Sequence, residues 1–456
     1  MKKFGFLFLF VMVCAASVAA QQRFVAALDG AQEVPANASA GKGTCTIVLN
    51  AAQTQITVNC TFSGLGTNLS AAHIHGNAAP GTNAGVLFGF TGLPTATSGS
   101  IGPLTFSVTP AQLADMRAHR YYVNLHTASI PGGEIRGQIK QAHTVTDFDG
   151  DGRSDPTVFR QSANQFWMDH SLNANWTIAI HGTGTGDIFL NNTCDFDGDG
   201  RFDPLLLKLD AGSIATWSIF QSATNTIRTF VFGNFSAASL DTLAISDYDG
   251  DGIQDPAVFR RSTGDWWVIQ STAPTFQFVQ HWGAPNDFPS IGDYDGDGKA
   301  DLTAVRVESG ARVWWIRSSI DGSFRRIPFG VSATDGVFFF APFDIDGDSR
   351  QDIAVNRNQG GTRTFHVLRS SDGAYVQIGW GLTSDTALFG DYDGDGRTDL
   401  VARRNIGGTW VWHILRSSDQ TLQLYWWGIA TAPADQLVDL EEKYAQSFVQ
   451  TGGTDE

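Results

Sequence analysis

Asp147-Phe148-Asp149-Gly150-Asp151-Gly152-Arg153-Ser154-Asp155 reads DFDGDGRSD, and the pattern returns five more times. The other copies are DFDGDGRFD from Asp195, DYDGDGIQD from Asp247, DYDGDGKAD from Asp293, DIDGDSRQD from Asp344 and DYDGDGRTD from Asp391. Each copy places carboxylates at positions 1, 3, 5 and 9. Carboxylates crowded this closely repel one another unless a cation neutralises them. Oxygen donors on a glycine-kinked loop suit calcium, with a backbone carbonyl available at position 7. Six sites are expected: Asp147, Asp149, Asp151 and Asp155; Asp195, Asp197, Asp199 and Asp203; Asp247, Asp249, Asp251 and Asp255; Asp293, Asp295, Asp297 and Asp301; Asp344, Asp346, Asp348 and Asp352; Asp391, Asp393, Asp395 and Asp399. In the fifth, Ser349 replaces the position-6 glycine. The competing reading is six acidic turns that hold no metal.

The first aspartates lie 48, 52, 46, 51 and 47 residues apart. A period of this size marks an array or a propeller. Each unit continues with a β-rich run that ends in a base thirteen residues past its first aspartate: Arg160, Lys208, Arg260, Arg306, Arg357 and Arg404. An aromatic strand follows (QFWMDH, TWSIF, DWWVIQ, VWWIR, TFHVLR, TWVWHIL), then a strand ending in an aromatic or His before Gly. A short strand leads into the next loop. Four short strands per unit is the content of one propeller blade. Six blades are expected, with a seventh, incomplete blade as the alternative, and Ala434–Asp439 supplies a closing strand.

Trp167, Trp217, Trp267, Trp315 and Trp412 recur near one place in the unit, which suits packing between blades, with a sugar-binding platform as the rival reading. The six bases are expected to pair with loop carboxylates, with a circular anion-binding face as the rival. An EF-hand would need Glu at position 12 and flanking helices. Position 12 holds Val158, Leu206, Val258, Ala304, Val355 and Ala402, and the flanks are strand-like. The pattern instead resembles the FG-GAP or VCBS repeat of integrin alpha-subunit propellers and many bacterial surface proteins. The resemblance implies a propeller with calcium held structurally between blade strands.

Residues 21–140 precede the array, 141–440 contain it and 441–456 form a tail. Before residue 21, Lys2 and Lys3 lead into an apolar run, Phe4–Val13, and then Val18-Ala19-Ala20. This reads as a secretory leader cleaved after Ala20, too short to span a bilayer. Losing both lysines would take the formal charge from −16 to −18, and six divalent ions, adding 12 charges, would return it to −6. The acidity is thus mostly ligand chemistry. No basic tract, nucleic-acid motif or membrane span is expected.

Residues 23–140 alternate apolar strands with glycine-rich turns and hold one short helix, PAQLADMRAH, so a β-sandwich is the expected class. In TCTIVLNAAQTQITVNCTF a hairpin turn near Ala52 and Gln53 would set Cys45 opposite Cys60. An exported chain can keep that pair as a disulfide, the alternative being two buried thiols. FVAALDGAQEVP, AAHIHGNAAPGTNAGVLF and YYVNLHTASIPGGEIRGQI resemble the CHRD domain, named from chordin and common in secreted bacterial proteins. His73 and His75 share a strand face, and His126 could approach them. Three imidazoles could bind zinc or copper. The alternative is a buried polar network with Glu134 and Arg136.

The whole reads as a two-domain, all-β, non-enzymatic protein, secreted or at the cell surface. Its expected role is adhesion or recognition of an extracellular protein or polysaccharide. The rivals are a His-centred oxidoreductase, a polysaccharide-cleaving propeller, and a purely structural envelope or matrix protein.

Overall fold

The computed structural model describes residues 23–50, 52–78, 81–117, 119–141, 146–150, 152–160, 165–171, 176–180, 187–274, 277–337, 343–348, 350–430 and 436–437. The expected leader and tail lie outside these residues, as do Asp151 and Ser349.

The N-terminal region is one antiparallel sheet. Its strands are β1 (Arg23–Asp29), β2 (Lys42–Leu49), β3 (Gln55–Ser63), β4 (Leu69–His75), β5 (Val86–Gly89), β6 (Gly99–Ser107), β7 (Tyr122–Thr127), β8 (Ile135–Gln138) and β9 (Lys140–Gln141). They run in the order β5-β4-β7-β8-β1-β2-β3-β6, with β9 also on β1. The expected sandwich of two sheets is therefore corrected to a single sheet coiled into a near-barrel. The edge strands approach each other: Phe88 of β5 stacks on Phe106 of β6 with centroids 4.9 Å apart. Phe24, Ile47, Val58, Ile74, Val123 and Ile135 fill the interior.

The β2–β3 hairpin pairs Cys45 with Cys60, and their sulfurs form a disulfide. Helix α1 (Pro110–Arg117) buries Leu113 and Met116. Its start is fixed by a reciprocal cap. Thr109 Oγ1 accepts the Gln112 N–H at 3.2 Å, and Gln112 Oε1 accepts the Thr109 N–H at 2.9 Å. Pro110 fits at the first helical position because no partner is needed there for its missing N–H.

The second region is a β-propeller. Five sheets each use four consecutive strands, spanning residues 187–234, 241–281, 288–331, 335–382 and 386–429. A further sheet is composite: Thr157–Arg160, Gln165–Asp169 and Trp176–Ile180 are joined by Gln436–Leu437 from the far end of the chain. The count of contiguous blades is thus five and differs from the six or seven expected. Among the described residues, the first unit has no leading strand of its own.

Side chains along the aromatic strand of each blade point alternately to its two faces. The equivalent buried aromatics are Phe166, Trp217, Trp266, Trp314, Phe365 and Trp412, none more than 3% exposed. This corrects the expected Trp set. Trp167, Trp267 and Trp315 are one residue out of register, half-buried on the opposite face, while Trp217 and Trp412 belong to the packed set. The indole N–H groups of Trp217, Trp266 and Trp412 donate to the carbonyls of Phe232, Trp282 and Trp427, the residues before the turn glycines. Trp282, Trp380 and Trp427 in turn donate to carbonyls of the next sheet, at Trp315, His413 and Trp167. Aromatics therefore stitch both within and between blades.

Candidate metal centres

Each aspartate loop is wound around its own first carboxylate. Asp147 accepts the N–H of Gly150 at 2.6 Å and of Gly152 at 2.8 Å, and Asp195, Asp247, Asp293 and Asp391 repeat the pair of bonds. In the fifth loop Asp344 accepts the Gly347 N–H at 2.6 Å. Gly298, at position 6, shows why glycine is needed. Its φ is +91°, and a Cβ there would collide with the His119 ring of the N-terminal domain.

The position-9 carboxylates of Asp155, Asp203, Asp255, Asp301, Asp352 and Asp399 are buried. Each accepts the position-2 N–H on one oxygen, as at Phe148 (2.9 Å) and Tyr294 (2.8 Å). The other oxygen accepts an N–H from the turn after the aromatic strand, at Ser171, Ser222, Ser271, Ser319, Ser370 or Ser417. Positions 1 and 9 are thus fixed by backbone amides. Carboxylate oxygens that accept a single such bond keep a second lone pair to offer.

Positions 3 and 5 meet side chains from that same turn, which the sequence reading missed. Ser222 Oγ donates to Asp199 at 3.0 Å, Ser271 to Asp251 at 2.7 Å, Ser318 to Asp295 at 2.6 Å, Ser370 to Asp348 at 2.8 Å and Ser417 to Asp395 at 2.8 Å. The signal was a Ser recurring just past each aromatic strand.

Basic side chains are not spread evenly over the loops. His170 Nδ1 lies 3.4 Å from Asp149, Arg201 Nη2 2.7 Å from Asp199, Arg350 Nε 3.0 Å from Asp348 and Arg416 Nε 3.4 Å from Asp393. In the fourth loop Lys140, from the N-terminal domain, reaches Asp293 at 3.1 Å with both side chains buried. Among the described residues, the third loop (Asp247, Asp249, Asp251, Asp255) has no such ion pair.

The electrostatic consequence is large. Burial first, and then neighbouring carboxylates, push Asp203 and Asp301 up to about 8, and Asp255 and Asp352 up to about 7. Asp247 and Asp344 are also raised, mainly by burial. Asp293 is the exception. Burial pushes it up, but the Lys140 ammonium and the glycine amides outweigh that and hold it below its ordinary value. Ligand oxygens of Asp195, Asp197 and Asp199, of Asp247, Asp249 and Asp251, and of Asp293, Asp295 and Asp297 lie within 4.8 Å of one another. Such an all-oxygen, anionic set fits a hard divalent cation.

The six loops form a ring. The position-8 N–H of each loop donates to the position-1 carbonyl of its predecessor: Phe202 to Asp147 (2.8 Å), Gln254 to Asp195 (3.0 Å), Ala300 to Asp247, Gln351 to Asp293 and Thr398 to Asp344 (2.7 Å each). Ser154 to Asp391, at 2.7 Å, completes the circuit. The N-terminal domain packs on this ring. A Cβ on Gly252 would come 2.6 Å from the Arg117 carbonyl oxygen, and one on Gly396 3.1 Å from Val25.

Four of the six repeated bases pair with aspartates outside the loops, which corrects that expectation for them. Arg260, Arg306, Arg357 and Arg404 bind Asp241, Asp287, Asp335 and Asp385 at 2.8, 2.7, 2.6 and 2.7 Å. The same four aspartates accept backbone N–H bonds from Asn234, Ala284, Val331 and Leu382, at or just past the end of the preceding sheet's last strand. They are inter-blade latches. Arg160, Arg260 and Arg306 also lie over Trp167, Trp267 and Trp315. These arginines are thus engaged by carboxylates or rings.

In the N-terminal domain His73, His75 and His126 do converge, with one ring nitrogen of each within 4.8 Å of the others. The expected network with Glu134 and Arg136 is corrected. Glu134 accepts from Ser39 Oγ, Gly66 N and Thr127 Oγ1. Arg136 donates to Asn83 and the Thr82 carbonyl and lies 3.5 Å over the Tyr122 ring.

No helix among the described residues is long and apolar enough to cross a membrane. No curated protein matches the chain. Among solved structures it is similar to AofleA from Arthrobotrys oligospora, at 10% identity and a TM-score of 0.39, over 64% of this chain and 89% of that one. It is also similar to a protein from Lactobacillus plantarum, at 9% identity and a TM-score of 0.32, over 71% and 93% of the two chains. The NanB sialidase from Streptococcus pneumoniae matches at 9% identity and a TM-score of 0.21, over 92% and 88%. Likeness this low carries no argument about activity. The family models are more specific, matching the CHRD domain over residues 24–139 and the FG-GAP-like repeat over 247–304 and 293–355. The chain carries a CHRD domain followed by FG-GAP-like repeats, in that order.

Proposed function

We propose that this is an exported recognition protein whose propeller is held rigid by about six calcium ions. The observation that carries the reading is the ring of buried carboxylate loops. Its oxygens are pre-positioned by backbone amides, yet a single basic side chain at most loops leaves several buried carboxylates uncompensated. Calcium offsets that repulsion and supplies the missing coordination charge. The third loop, which has no ion-paired base among the described residues, is the tightest site; the loops facing His170, Arg201, Lys140, Arg350 and Arg416 are weaker.

We read the composite sheet as a sixth blade, closed by the strand Gln436–Leu437. The Cys45–Cys60 disulfide supports an oxidising compartment and hence export by the leader. With the N-terminal domain packed on the loop ring, ligands meet the blade rims and the opposite face. Phe324, Tyr375 and Leu422 open the outer strands of three successive blades and are 60%, 56% and 53% exposed. Such an apolar rim suits an extracellular protein or the apolar face of a polysaccharide. The test is a protein and glycan binding screen of the full chain with calcium and after chelation. Calcium-dependent binding that falls in a Phe324→Ser, Tyr375→Ser double variant supports the reading. Failure to bind any extracellular protein or glycan, with calcium bound, removes it.

A further inference from the structure

We propose that His73, His75 and His126 form a site for one imidazole-seeking divalent transition metal, copper(II) or zinc, on the N-terminal domain and independent of the aspartate loops. His73 and His75 lie two apart on β4 and share a face. β7 pairs with β4 so that His126 lies opposite Ala71, on that same face. The three ring centroids are 5.0, 5.4 and 6.1 Å apart. All three side chains therefore rise from neighbouring strands of one sheet, a rigid base for a ligand set.

The rear nitrogens settle which atoms face inward. His75 Nδ1 lies 3.0 Å from the Ala84 carbonyl, and His126 Nδ1 3.0 Å from the Pro131 carbonyl. A carbonyl only accepts, so each Nδ1 carries the proton and each Nε2 presents a lone pair. Metal-binding histidines are oriented by this same device. The buried Nε2 of His75 has no hydrogen-bond partner. His73 Nδ1 lies 3.2 Å from His126 Nε2. Without metal, a proton on His73 Nδ1 bridges that gap; moving it to His73 Nε2 frees the third lone pair. Tyr122 supports the arrangement by stacking on His75 at 4.8 Å and accepting the Ala84 N–H at 3.0 Å. With nitrogen donors and no carboxylate in the set, the site favours a transition metal over calcium.

The experiment uses the full chain, stripped by chelation and kept in excess calcium so that the aspartate loops are filled. Copper(II) titration should show one equivalent bound, with paramagnetic resonance splitting from imidazole nitrogens. His73→Ala should weaken that equivalent about 100-fold, with the fold retained in metal-free melting. His75→Ala should lose it too and, because that ring is buried against Tyr122, should also melt somewhat lower. A readout without mutation is the ring-nitrogen resonance of the histidines. One equivalent of zinc should shift three of the ten histidines, and the shifted signals should include the one protonated at Nδ1 toward Ala84. Copper binding that is unaltered in His75→Ala, or zinc that leaves these three rings unmoved, would overturn the site.

Discussion

The backbone N–H of Ser154 donates to the carbonyl of Asp391 at 2.7 Å, and Ser154 Oγ accepts the Asp391 N–H at 3.1 Å. These residues belong to the first and last aspartate loops, 237 positions apart. Their contact turns a row of loops into a circuit, and Trp427 donating to the Trp167 carbonyl repeats the closure on the aromatic layer. Ser154→Ala leaves the buried Asp391 N–H without its partner, so a loss of about 1–2 kcal/mol is expected in urea unfolding. Truncation after Ala430 also removes the strand Gln436–Leu437 and should cost more.

Acid should stabilise the calcium-free protein. A carboxyl whose folded pKa is raised keeps its proton more firmly when folded. Its stabilising contribution is complete below the ordinary value of 3.8 and is lost as pH rises through the folded value. For Asp203, Asp255, Asp301 and Asp352 that window runs from about 4 to about 8. In chelator, the melting temperature should therefore be higher at pH 5 than at pH 8. Saturating calcium should reverse the order, because the ion binds the deprotonated form. Parallel melting curves in the two conditions would speak against it.

Asp241 joins Arg260 of its own sheet to the Asn234 N–H at the end of the preceding sheet. Asp241→Ala strands a partly buried guanidinium and an amide, and about 2–4 kcal/mol should be lost. Restoring half of that loss with Arg260→Met would show that the pair latches the blades rather than serving a ligand. The measurement is equilibrium unfolding of the two variants.

Lys140 forms an ion pair between the two regions, with Asp293, and competes with metal at the fourth loop. Lys140→Met should raise the calcium affinity of that loop several-fold and loosen the docking of the N-terminal domain. Calorimetric titration and limited proteolysis read the two effects separately.

What the sequence made legible follows from fixed spacing. The aspartate loops, the bases thirteen residues on and the hairpin facing Cys45 and Cys60 all depend on short, constant separations. The latch aspartates were missed although Asp241, Asp287 and Asp385 each stand six residues before the next loop. A lone carboxylate outside the DxDxD run carries no local pattern that names its partner, and Asp335, nine before Asp344, breaks the spacing. The Trp register failed at Trp266-Trp267 and Trp314-Trp315, where two adjacent indoles occupy both faces of a strand and a period of two cannot choose between them. The N-terminal strands announced one buried face each. Alternation is the same whether that face meets a second sheet or the far side of its own, and the Phe88–Phe106 contact that decides it joins the two edge strands of the sheet, which strand pattern alone does not place.

The most direct test of the account is calorimetry of the full chain, first stripped of divalent ions and then titrated with calcium at pH 7.5. Uptake of about six ions per chain is expected, the first entering the loop of Asp247 and lost in Asp251→Asn, with the propeller transition moving to higher temperature as the loops fill. No heat of binding and an unmoved transition would contradict it.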